Sequence, residues 1–167
     1  MKHLKTKETL DEFLIKKGVS TNQLNKAKNN KVNYHSELEY YYDYKEKQTG
    51  LAWIDVDNIH APAREGNSGH SWYNLLFWGI YGLPKNKDAN IATLRFYDLL
   101  INLTKMSLED LKNLYEDGKS GLSIYKFEKY IKTGEKPMYL GINDGNHRII
   151  LAKVLGVNYV TSKCLYI

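Results

Sequence analysis

The chain has 167 residues, of which 43% are hydrophobic and 26% charged, an ordinary balance for a globular fold in water. No apolar run approaches the ~18 residues that a membrane span needs, no apolar leader opens the chain, and the single cysteine, Cys164, excludes an internal disulfide; the expectation is a cytoplasmic protein with no membrane partner. The net charge of +5 belongs to residues 1–33, where eight lysines face Glu8, Asp11 and Glu12, so the basic end is either a solvated helical surface or a site for a polyanion.

In chain order, residues 7–17 place Leu10, Phe13 and Leu14 at helical spacing, with acids early and lysines late as the helix dipole favours. Gly18 is a helix stop, and Ser20 or Thr21 can cap a second short helix, TNQLNKAKNN. The pair is loosely a helix-turn-helix, though a hairpin packed on the rest of the chain is the simpler expectation. Lys16, Lys17, Lys26 and Lys28 are its candidate nucleic-acid contacts. Residues 34–45 carry Tyr34, Tyr40, Tyr41, Tyr42 and Tyr44, which can stack on bases or, more simply, pack their rings and leave their hydroxyls wet.

Residues 51–59, LAWIDVDNI, alternate in the manner of a strand. A polar loop follows, HAPAREGNSGHS, holding His60, Arg64, Glu65, Asn67 and His70. Residues 71–83 are apolar and aromatic enough to lie in the core as a helix or an irregular segment. Residues 89–105 read as an amphipathic helix through Ile91, Leu94, Leu99 and Leu103, and Ser107 with Asp110 resembles a capping box for a helix to about Tyr115. Gly118 and Gly121 interrupt the chain, SIYKFEKYIKTG predicts a further helix stopped by Gly134, and Pro137 leads into a strand over 138–142.

The C-terminal stretch then predicts a turn at 143–145, a helix from Asn146 to Leu155, a stop at Gly156 and a strand over 157–165. A helix N-terminus offers free N–H groups and the positive end of the dipole to an anion. Gly145 permits close backbone approach. His147 and Arg148 lie in the first turn, and arginine's planar fork matches phosphate oxygens. Asp144 would repel a bare phosphate, so its roles are cap, metal ligand or acid–base group.

DGNHRIILAKVLGV resembles the signature of the ParB/sulfiredoxin superfamily, and WIDVDNIHAPAREG resembles that family's opening strand; together they cover about 45 residues at the two ends of 51–167. The resemblance implies an α+β fold: a small ParB/sulfiredoxin-like domain at 46–167, with a mixed sheet and a helical insertion, preceded by a basic, Tyr-rich helical segment at 1–45. It implies a phosphate site made by Gly145, Asn146, His147, Arg148 and Arg64, with Asp144, His147, Arg148 and Glu65 as catalytic candidates. Asn146 stands where the sulfiredoxin branch has cysteine, so peroxiredoxin repair is not expected.

The leading expectation is an enzyme acting on nucleic acid, a nuclease or other phosphodiester- or nucleotide-processing activity, with Mg2+ or a nucleotide as candidate cofactor. His60, His70 and His147 are candidate acid–base groups near neutral pH. One alternative is a non-enzymatic accessory factor of a phage or plasmid that grips DNA, RNA or a nucleic-acid-processing protein, including an inhibitor of host defence. Another is a small-molecule kinase using ATP or ADP with Glu65 as base.

Overall fold

A computed structural model describes residues 6–33, 48–62, 67–87, 89, 104–117, 123–127, 138–141 and 146–166. These form a mixed α+β protein of five α-helices and a five-stranded sheet. The elements are α1 (Lys7–Lys16), α2 (Thr21–Asn29), β1 (Gln48–Asp55), a 3-10 turn (Val56–Asn58), β2 (Ile59–Ala61) and α3 (Trp72–Tyr81). Then come α4 (Leu108–Glu116), β3 (Ser123–Phe127), β4 (Met138–Gly141), α5 (Asn146–Leu155) and β5 (Tyr159–Tyr166).

Local chemistry sets the helix ends. Thr6 caps α1 in a reciprocal box with Thr9, each threonine oxygen accepting from the other's backbone N–H. The Oγ atoms of Ser20, Ser71 and Ser107 accept from the N–H groups of Gln23, Asn74 and Asp110, at 3.1, 3.0 and 3.0 Å. Gly18 takes a φ of 102° between α1 and α2, and Gly156 a φ of 74° after α5, both in the region that favours glycine. Leu10 and Leu14 of α1 and Leu24 and Ala27 of α2 are buried in one core with α3 and α5, so the expected packed hairpin is what forms. Lys28 pairs with Asp11 across the hairpin, and the Tyr73 hydroxyl donates to Asp11 Oδ1 at 2.5 Å, tying α3 to both helices. Burial and the Asp11 carboxylate push the Tyr73 hydroxyl well above its ordinary pKa.

The sheet order is β1-β5-β3-β4-β2. β1 runs antiparallel to β5, β5 parallel to β3, β3 antiparallel to β4, and β4 parallel to β2. The two outermost strands are consecutive in the chain, joined only by the 3-10 turn. From Asp55 to Ile59 the backbone reaches at most about 14 Å, whereas four strand spacings of a flat sheet span about 19 Å. The sheet must therefore curl, with the run 48–61 closing it along β5 at one end and β4 at the other.

Two expectations are corrected. The strand expected over 51–59 is split by the 3-10 turn, although its alternation persists: Ile54 and Val56 are buried while Trp53 and Asp57 are exposed. The helix expected from Ser123 begins instead as β3, an interior strand bonded on both sides by β5 and β4. Ile124, Tyr125 and Phe127 suit a pleated surface, and pairing with two distant strands outweighs the local helical pattern. The Tyr-rich segment, most of the helix expected over 89–105, and residues 128–134 lie outside the described residues.

Candidate functional site

α5 is the hub of the helical layer. It packs against α2, α3, α4 and the 3-10 turn, and Ile149, Ile150, Leu151, Ala152, Val154 and Leu155 are all buried. A helix that is apolar nearly all round must be enclosed, and the run IILAKVL makes it so. The polar interruptions are therefore informative: His147 and Arg148 in the first turn, and Lys153 near the end, all partly buried.

Four residues, 142–145, separate β4 from α5. β2 and β4 are parallel, with Ile59 opposite Tyr139 and Ala61 opposite Leu140, so both strands end on the same side of the sheet. Asn146 opens α5. The first turn is pinned from α4, where the buried Tyr115 hydroxyl donates to the Arg148 carbonyl at 2.9 Å. Burial raises the Tyr115 hydroxyl pKa well above its usual value, and the Arg148 guanidinium offsets part of that. Tyr115 was expected only to end a helix; its hold on the candidate anion site depends on a contact that no local pattern signals.

Asp144, Gly145, Arg64 and Glu65 lie outside the described residues, and His147 and Arg148 stand together on α5. His60 is on β2, and His70 meets the Trp78 ring edge-on at 5.0 Å. The four lysines do not form one face. Lys26 holds both carboxylate oxygens of Asp57 at 2.7 and 2.8 Å, Lys28 holds Asp11, and Lys17 reaches the Thr104 and Met106 carbonyls at 3.4 Å, while Lys16 is exposed at the end of α1. Among the described residues, no three His, Cys, Asp or Glu side chains gather as for a metal ion, and no helix is long and apolar enough to cross a membrane.

Two clefts meet at Lys153. One, of about 290 Å3, includes Gln23, Lys26, Asp55, Asp57 and Tyr159 in its walls. The other, of about 430 Å3, includes Asn30, Lys31, His60 and Trp72. Lys153 and Asp57 line both. The Lys153 ammonium lies 5.0 Å from the centre of the Trp72 ring and 3.4 Å from the Asp57 carbonyl oxygen. Burial, aided by Lys26 and opposed by Asp57 and Asp55, brings its pKa down to about 8. The one available signal was a single lysine inside an apolar helical run.

No protein-family model, curated protein or solved structure matches this chain.

Proposed function

We propose that the β4–α5 junction binds a phosphate group and that the chain is a ParB-like enzyme acting on the phosphodiesters of nucleic acid. The observation that carries this reading is the first turn of α5: His147 and Arg148 stand there, held by Tyr115, on the side of the sheet where β2 and β4 end together. A helix N-terminus that follows a strand offers free N–H groups and the positive end of the dipole, which favour an anion. In this reading the α5 N–H groups and the Arg148 guanidinium hold the phosphate, and His147 exchanges a proton with the attacking or leaving oxygen. Asp144 and Glu65 are the accompanying carboxylates that the sequence resemblance assigns. The mixed α+β architecture is compatible with the ParB/sulfiredoxin-like fold.

The test is a cleavage panel. Parent protein and Arg148→Ala are each incubated with labelled single- and double-stranded DNA and RNA, with and without Mg2+ or Mn2+. The expected result is cleavage by the parent and a loss of at least ~100-fold in the variant, the scale of a removed charge stabiliser. Equal cleavage by both proteins would remove the site. Salt-dependent binding with no cleavage of any substrate would instead identify a non-catalytic binder.

A further inference from the structure

The second site lies toward the other end of α5 and involves neither His147 nor Arg148. Lys153 projects from the wall that the two clefts share, with Asp55 and Asp57 near it. Lys26 and Lys28 each hold a carboxylate, but among the described residues no ion pair joins Lys153 to one. The nearest acid, Asp57, already turns both carboxylate oxygens to Lys26 and offers Lys153 only its carbonyl oxygen. Among the described residues, the charged and titratable groups that line the two clefts with the amine are Lys26 from α2, Asp55 at the end of β1, Asp57 of the 3-10 turn, His60 of β2, Lys31 after α2 and Tyr159 of β5. The face of Trp72 covers it from α3. A lysine desolvated in this way, beside a second cation, spends more of its time as the neutral amine, the form that attacks carbon. The lowered pKa agrees with that geometry.

The first cleft has an aromatic wall beside its polar groups. Tyr159, on its wall, stacks on Trp53 with ring centres 4.9 Å apart, and the pair is exposed at 41% and 66%. A planar group can therefore lie against the Tyr159 side while its polar end reaches the amine.

We propose that Lys153 is a nucleophile that condenses with a small aldehyde or ketone entering the cleft between α2, the 3-10 turn and Tyr159. The Nζ lone pair bonds to the carbonyl carbon, and the carbonyl π pair moves to oxygen, which takes up the proton that nitrogen releases. The resulting carbinolamine loses its hydroxyl and the second nitrogen proton as water, leaving a C=N bond. No oxidant or reductant takes part.

The test uses the full chain with benzaldehyde, a neutral aromatic probe with no phosphate to draw it to the α5 N-terminus. Sodium cyanoborohydride traps imines as stable amines, and peptide mass mapping then gives the rate at each lysine. Lys153 should be labelled at least about tenfold faster at pH 7.5 than the exposed Lys85 and Lys87. The ratio of its rate to theirs, in which the pH dependence of the trapping step cancels, should hold below about pH 8 and fall as pH rises from there toward 10.5. A Lys153→Arg variant with an unchanged circular dichroism spectrum should lose the fast adduct. Labelling of Lys153 no faster than Lys85 and Lys87, or a fast adduct that survives in the variant, would overturn the proposal. Because mapping is done on the parent protein, a variant that fails to fold leaves the first comparison intact. Cleavage of nucleic acid has no bearing on either outcome.

Discussion

Burying the Lys153 ammonium has a thermodynamic consequence separate from its reactivity. The folded state holds its pKa near 8, against 10.5 for an unperturbed lysine. Below about pH 8 both states carry the proton, and the folded state bears the full penalty, on the order of 3 kcal/mol at about 1.4 kcal/mol per pH unit. Between about pH 8 and 10.5 the unfolded chain binds the extra proton, so stability rises with pH through that window. Lys153→Met, which keeps the length of the side chain against Trp72 and removes the charge, should raise the melting temperature at pH 7. That advantage should shrink steadily as pH approaches 10.5. Thermal unfolding of both proteins from pH 7 to 10 checks this, and a pH-independent difference would show that the amine is not desolvated. Tyr81 is a second residue with a burial-driven shift: its hydroxyl, pushed up to about 12, has no hydrogen-bond partner among the described residues, and its ring centre lies 4.7 Å from that of Phe77.

At the scale of elements, the end of α5 is held by one close fit. A Cβ at Gly156 would come within 2.8 Å of the Gln23 side chain, and the φ of 74° already disfavours any other residue. Gln23 cannot swing away freely, because its Nε2 donates to the Lys153 carbonyl at 2.7 Å, satisfying one of the last acceptors of the helix. Gly156→Ala should cost about 2 kcal/mol or more in urea unfolding, from strain and crowding together. Adding Gln23→Ala should give a double variant less destabilised than the sum of the singles; strict additivity would mean that the two residues do not meet. Gly18, Ser20, Ser107 and Gly156 were all legible as helix boundaries, because caps and stops depend on residues within one turn. β3 was not, because Ser123–Phe127 becomes a strand through partners at 138–141 and 163–166. The clefts at Lys153 were hidden for the same reason: their walls come from α2, the 3-10 turn, β2 and α3 as well as α5. The first turn of α5 was readable as a candidate anion site from residues 144–148, but the hold of Tyr115 on that turn was not.

Across the whole molecule, the basic N-terminal helices belong to the same core as the sheet and the later helices. Leu10, Leu14, Val19, Leu24, Ala27 and Val32 are each no more than 3% exposed. At about 1.5–3 kcal/mol for each large apolar side chain buried, their loss would consume a net stability of typically about 5–15 kcal/mol. A chain lacking residues 1–33 should therefore be recovered unfolded or aggregated, as circular dichroism and size-exclusion chromatography would show. A folded, monomeric truncation would mean that the hairpin is an accessory. The position of α5 in the chain has a further effect during synthesis. α1 and α2 are made before α3 at 72–81 and long before α5 at 146–155, the two helices that α2 packs against, and before β5 at 159–166, which joins β1 to β3. The leucine faces of these early helices stay partly uncovered until α5 has been made, so the nascent protein is a natural client for chaperones that shield apolar segments until then.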